Sequence, residues 1–303
     1  MTRGIKAVSA SPPVSLITEG VRLTRLMTDD GVAIEAVYAP FQPYGAGSGT
    51  GTDPGPAIVV AHGFTGALER PALRRAAAAL GRHAAVVTFS FRGHGRSAGR
   101  STVGDREVLD LATAVRWARR LGHRRIATVG FSMGGSVVLR HAALYGAGAL
   151  GGKTGTAAPG ALEAKAGAGA REAAHTDAAV AVSAAARWYY RGTAPMRRVH
   201  WAITRPAGRL VSRYGLRTRI DSRGWDPEPL SPVAAAPLIA PTPLLIVHGD
   251  QDPYFPLDHP RTLVDAADPS STELWIEPGF GHAENAAGPA LLGRIAAWAT
   301  AHV

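Results

Sequence analysis

The chain has 303 residues, 46 % of them hydrophobic, which suffices for one large domain with a sizeable buried core and excludes a disordered chain. It contains no cysteine, so a disulfide framework, a thiolate metal site and a cysteine nucleophile are excluded. The formal charge of +10 comes almost entirely from arginine, with Lys6, Lys153 and Lys165 the only lysines; a GC-rich coding bias accounts for that composition, and an anionic partner is the sharper alternative.

Met1 to Gly20 shows neither a continuous apolar stretch nor a small-residue cleavage pattern, and no run of about 18 apolar residues follows. Neither a signal peptide nor a transmembrane helix is therefore expected, and a cytoplasmic location is. Val21–Met27 and Val32–Ala39 alternate like strands around Thr28-Asp29-Asp30-Gly31, which predicts a β-hairpin. Gly45–Pro56 reads as a loop.

A rhythm of strands and helices then begins. Ala57–Ala61, Ala85–Phe89 and Arg125–Val129 are short apolar runs suited to buried strands. Pro71–Leu80, Asp105–Leu121 and Met133–Tyr145 have helical spacing. The alternation predicts an α/β fold: a mostly parallel twisted sheet with helices on both faces. Gly146–Thr176 holds 19 Gly or Ala in 31 residues and reads as a flexible insertion. Ala178–Val182 is a further strand. Arg187–Pro229 breaks the rhythm and has room for one or two helices. It resumes with strands at Leu244–Val247 and Glu273–Ile276 and a closing helix at Pro289–Trp298.

Gly130-Phe131-Ser132-Met133-Gly134 joins an apolar strand to an apolar helix. A serine on so tight a turn needs glycines beside it, because side chains at Gly130 and Gly134 would collide with neighbouring backbone. The turn also sets Ser132 at a helix N-terminus, which favours a developing anion. A serine hydroxyl is a poor nucleophile without a base. Of eleven histidines, His282 is the best placed, in a Gly-rich loop just after a strand. The imidazole needs a carboxylate to orient it. Asp250 and Asp252 both follow the Leu244–Val247 strand; Asp252 is preferred for reach, and Asp250 is assigned to the loop's own amides. The Met133 and Phe64 N–H groups are the candidate oxyanion donors. His62 and Gly63 open the loop that carries Phe64, and His62 is read as a brace for it.

His62-Gly63-Phe64, Arg92-Gly93-His94-Gly95-Arg96-Ser97, Gly130 to Gly135, His248-Gly249-Asp250-Gln251-Asp252 and Gly281-His282 resemble, in order, the motifs of the α/β-hydrolase superfamily. The resemblance runs over roughly Val21 to Trp298, the insertion and the Arg187–Pro229 segment excepted. It implies a nucleophile–acid–base triad of Ser132, Asp252 and His282 and a mainly structural turn at Arg92–Ser97. Position 90, where the superfamily usually has Asp, is Ser. It further implies a core made of residues 1–183 and 238–303, with a lid inserted at 184–237. Ten arginines face three acids across Arg187–Pro229, beside Trp188, Tyr189, Tyr190, Trp201 and Trp225. Such a lid suits peripheral contact with anionic lipid. It belongs to no recognised nucleic-acid module, so nucleic acid is not an expected partner.

No metal-ligand spacing and no nucleotide-binding fingerprint is present, so neither metal nor cofactor is expected. The expected activity is hydrolysis of a small carboxylic ester, as in small esterases and monoacylglycerol-lipase-like or dienelactone-hydrolase-like members. An acyltransferase using the same acyl-enzyme and a slow-turnover ligand receptor are the alternatives.

Overall fold

A computed structural model of the chain describes residues 20–42, 54–147, 169 and 172–303. The readings of residues 1–19, most of the 45–56 loop and most of the 146–176 insertion lie outside the described residues.

Arg22–Met27 (β1) and Ala33–Ala39 (β2) form the expected hairpin. Its turn closes through Gly31 N–H to the Thr28 carbonyl at 2.9 Å, with Gly31 at φ +79°. Then follow Ala57–Ala61 (β3), Pro71–Leu80 (α1), Ala85–Phe89 (β4), Glu107–Arg120 (α2), Ile126–Phe131 (β5), Met133–Tyr145 (α3) and Ala178–Val182 (β6). Ala194–Thr204 (α4), Pro206–Gly215 (α5) and Pro232–Ala235 (α6) precede Leu244–Gly249 (β7). Asp258–Ala266 (α7), Thr272–Glu277 (β8), Ala283–Ala286 (α8) and Pro289–Ala301 (α9) complete the chain. The sequence pattern does not announce α7. Pro260 interrupts its helical pattern, yet it falls in the first turn, where proline costs no hydrogen bond.

The eight strands form one sheet in the order β1-β2-β4-β3-β5-β6-β7-β8. Pairing is antiparallel from β1 through β2 to β4 and parallel everywhere else. All residues of β3, β4, β5, β6 and β7 are buried, as a sheet covered on both faces requires. Alternate residues serve opposite faces. Ile58 and Val60 pack with Leu73 of α1 and Leu292 and Ile295 of α9, while Ala57, Val59 and Ala61 belong with Val115 of α2 and Val137 of α3.

The winding reverses at β3, whose neighbours β4 and β5 follow it on opposite sides. Loops that leave the carboxyl ends of such strands diverge and open a crevice, the usual ligand position in sheets of this type. The loop after β3 carries His62 to Gly66, and the turn after β5 carries Ser132.

A buried ion cluster holds the turn after β4. Arg92, 2 % exposed, bonds Asp110 of α2 at 2.8 Å and Asp30 of the hairpin turn at 2.6 Å. The two carboxylates raise the Arg92 pKa against the effect of burial, so the guanidinium stays charged. Where the superfamily resemblance implies an Asp at position 90, a carboxylate arrives from another strand. Glu35 of β2 accepts from Ser90 Oγ at 2.8 Å and from the Arg96 N–H at 3.0 Å.

Candidate active site

Ser132 sits between β5 and α3 at φ +51°, ψ −114°, a strained region for a side chain with Cβ. Its surroundings leave it no alternative. Its N–H donates to the Val182 carbonyl of β6 at 2.8 Å, which fixes the turn to the neighbouring strand. A Cβ on Gly130 would overlap the Gly134 carbonyl, and one on Gly134 would overlap the Ala61 carbonyl. Both positions therefore need glycine for close backbone approach.

The structure brings the three residues of the expected triad together. His282 Nε2 lies 2.9 Å from Ser132 Oγ, and His282 Nδ1 lies 2.7 Å from Asp252 Oδ2. The Tyr254 ring lies against the imidazole at 4.3 Å between centroids and restricts its rotation. Asp252 Oδ1 accepts from the N–H groups of Tyr254 at 2.8 Å and Phe255 at 3.1 Å. Burial acts to raise the Asp252 pKa, but the bond and charge of His282 and these two amides outweigh it. The carboxyl is held below 3.8. Asp250 has a different partner: its Oδ1 accepts from the Gly279 N–H at 2.7 Å, which ties the β7 loop to the loop bearing His282. Behind Asp252, the buried His248 bonds the Phe255 carbonyl at 2.8 Å, and burial lowers its pKa.

The loop after β3 is equally fixed. Gly66 N–H bonds the Gly63 carbonyl at 2.9 Å, closing a turn in which Thr65 has φ +66°. His62 is fully buried, and its Nε2 accepts from the Phe91 N–H at 3.0 Å. The proton therefore sits on Nδ1, which donates to the Gly63 carbonyl at 2.7 Å. Burial pushes the His62 pKa down to about 3, so the ring is neutral and acts on the loop's shape. Phe64 follows and lines the same cavity as Ser132 and Met133. Met133 is the first residue of α3, so its N–H has no carbonyl within the helix to bond.

One residue near the site was missed by sequence reasoning. Glu284, two residues after His282 and 6 % exposed, accepts the Gly63 N–H on Oε1 at 2.9 Å. Its Oε2 is buried without a partner among the described residues. Burial raises the Glu284 pKa, with the Gly63 bond opposing. An acidic side chain in His-Ala-Glu-Asn gives no sign of burial, because the cover comes from a loop 221 residues away. His94 and Ser97 have structural roles: His94 Nδ1 bonds the Arg92 carbonyl at 2.9 Å, and Ser97 Oγ donates to the Ser90 carbonyl at 2.6 Å.

A cavity of about 720 Å³ opens above Ser132, a size that suits a small organic ligand. Its far wall comes from the segment between β6 and β7, including Trp188, Met196, Val199, Ile203 and Trp225. That segment is fastened to the core. Trp225 Nε1 donates to the Thr102 carbonyl at 2.6 Å, Thr193 Oγ1 donates to the Tyr254 carbonyl at 2.9 Å, and Thr218 and Ile220 bridge His94 and Ser101.

Residues 53–290 match the model of the alpha/beta hydrolase family. The chain belongs to that family. Among solved alpha/beta hydrolase-like structures, it is similar to the esterase Pf2001 of Pyrococcus furiosus at 18 % identity, with 98 % of each chain covered and a TM-score of 0.62. It is similar to the alpha/beta hydrolase GrgF of Penicillium sp. sh18 at 18 % identity, covering 93 % of this chain and 98 % of that one, with a TM-score of 0.61. It also resembles XC6422 of Xanthomonas campestris, described as an a/b serine hydrolase without lid, at 17 % identity, 94 % of each chain and a TM-score of 0.54. At these identities the likeness is one of fold. No curated protein matches the chain. Among the described residues of this alpha/beta hydrolase, no helix is long and apolar enough to cross a membrane.

Proposed function

We propose that this chain is a serine hydrolase that cleaves carboxylic esters through an acyl-enzyme on Ser132. The reading is carried by the unbroken relay from Ser132 Oγ to His282 Nε2 at 2.9 Å and from His282 Nδ1 to Asp252 Oδ2 at 2.7 Å, at the floor of a cavity. His282 takes the Ser132 proton as Oγ attacks the ester carbonyl carbon. The Phe64 and Met133 amides receive the oxyanion. The tetrahedral adduct collapses, and the C–O bond to the alcohol breaks as His282 returns the proton to the leaving oxygen. Water then adds to the acyl-enzyme by the same route, giving the acid and free Ser132. Asp252 stays ionised and stabilises the imidazolium formed twice in the cycle. His62, Gly63, Gly130 and Gly134 hold the two turns in place.

Residues 184–237 serve as a lid in this reading. Their inner wall combines apolar side chains with Arg187, Arg191 and Arg198, so the cavity suits an acyl or aryl group next to the scissile ester. The test is steady-state hydrolysis of p-nitrophenyl esters from acetyl to palmitoyl by wild type and Ser132→Ala. Multiple turnover that disappears in the variant is expected, with the preferred acyl length sizing the cavity. Equal rates in both proteins, or none in either, would remove ester hydrolysis by Ser132.

A further inference from the structure

Helix α5 is amphipathic in the wrong direction for a core-packing helix. Ala207, Leu210, Val211 and Tyr214 recur at the spacing of one helical stripe, and all four are exposed. Leu210 is 56 %, Val211 53 % and Tyr214 73 % exposed. The inward side is made of small residues instead. Gly208 and Ser212 are the buried positions, and a Cβ on Gly208 would overlap the Trp201 carbonyl of α4. Close packing through Gly208 therefore turns the apolar stripe outward. Trp201 of α4 is also exposed, at 47 %. Scattered apolar residues on a surface are ordinary, but a full helical stripe is not.

The segment that carries the stripe is predominantly cationic, with Asp221 at its end paired to Arg223. From Arg187 to Ile220 the chain has nine arginines and no acidic residue. Four of the chain's arginines, Arg100, Arg209, Arg213 and Arg219, converge with Leu210 on a depression of about 280 Å³. Arg209 and Ile220 line both this depression and the cavity above Ser132, so the two adjoin.

We propose that the outer face of α4 and α5 docks on an anionic phospholipid surface. Leu210, Val211, Tyr214 and Trp201 enter the acyl boundary, and the arginine-lined depression receives a phosphate headgroup. An apolar stripe flanked by cations is the composition of helices that lie in a membrane interface. Arginine matches phosphate oxygens in a bidentate fork, and each cation near an anionic leaflet adds to the attraction. A second copy of this chain fits the face poorly, since two such surfaces would set like charges together. Nucleic acid leaves the apolar stripe unexplained. Docking would place the cavity mouth at the interface, where lipid-soluble compounds concentrate.

The experiment is co-sedimentation of the full chain with vesicles of phosphatidylcholine alone and with vesicles of phosphatidylcholine mixed with phosphatidylglycerol. The Ser132→Ala protein is run in parallel, so that binding is read independently of turnover. Expected is binding to the mixed vesicles only, unaffected by Ser132→Ala and weakened by salt. Replacing Leu210, Val211 and Tyr214 together by Ser, and separately Arg213→Glu, should each lower partitioning at least about tenfold. Circular dichroism and a thermal melt establish that each variant folds. No binding to the mixed vesicles would overturn the proposal. So would equal binding to the neutral ones, binding that survives both variants in folded protein, or a dimer in solution that the Leu210/Val211/Tyr214 variant dissolves.

Discussion

Gly63 and Glu284, 221 residues apart in the chain, meet beside Ser132: the Gly63 N–H donates to Glu284 Oε1 at 2.9 Å. A Cβ on Gly63 would lie 3.2 Å from both carboxyl oxygens and 3.4 Å from Ser132 Cβ. The bond ties the loop that carries Phe64 to the segment just after His282. Glu284 acts through that loop, as a positioning residue.

Glu284→Gln keeps a carbonyl acceptor for Gly63 in nearly the same volume. Turnover of a soluble ester by this variant is expected within about threefold of wild type, since the net worth of the bond is retained. Glu284→Leu strands the Gly63 N–H, and kcat is expected to fall by about 10- to 100-fold with a smaller change in KM. Glu284 also leaves a mark on stability. Burial raises its pKa above the usual 4.5. The unfolded chain releases this proton near 4.5 and the folded chain at a higher pH, so the folded state holds more protons in between. Stability contributed by the neutral carboxyl is therefore present below 4.5 and is lost as pH rises through that interval. Urea midpoints of wild type and Glu284→Gln, compared along a pH series, should diverge in the variant's favour as pH rises. A constant difference would mean that burial does not keep the carboxyl protonated.

Sequence reasoning could see residues whose neighbours in the chain announce them. Ser132 follows an apolar strand inside paired glycines, and the strand–helix alternation around it is the fold in outline. What it could not see depends on cover from afar. Glu284 lies in a polar-looking run and is buried by the Gly63 loop. Glu35 substitutes for a carboxylate that the superfamily pattern puts at position 90, and nothing in β2 signals this. The stripe of Leu210, Val211 and Tyr214 would be turned inward by periodicity alone; only the close packing of Gly208 on α4 shows it facing out.

The Arg92 cluster joins three distant elements, so its removal should be felt globally. Arg92→Met leaves Asp110 without its counter-ion and Asp30 with Arg106 at 3.9 Å, and Asp110 is fully buried. The expected cost is about 3–5 kcal/mol in urea denaturation, because an uncompensated buried charge remains. Arg92→Met combined with Asp110→Leu removes both charges and should recover part of that loss. The effects of Arg92→Met and Asp110→Leu are expected to miss additivity by at least about 1 kcal/mol. Additive effects would mean that the cluster contributes packing and little electrostatics.

Asp250 and Asp252, two residues apart, have separate partners, and the pair of Asn variants tells them apart. Asp252→Asn cannot stabilise an imidazolium at His282 and favours the wrong tautomer, so turnover should fall by about three to four orders of magnitude. Asp250→Asn still offers its oxygen to the Gly279 N–H, bonded at 2.7 Å, and should stay within about fivefold of wild type. Acid stability separates them again. The folded Asp252 pKa lies below 3.8, so the folded state binds this proton less readily than the unfolded chain. Its ionised form contributes stability above 3.8 that is lost as pH falls through the lower folded value. Asp252→Asn should remove that part of the acid transition. If Asp250→Asn instead gave the large loss of turnover and Asp252→Asn a small one, Asp252 would not be the residue that orients His282.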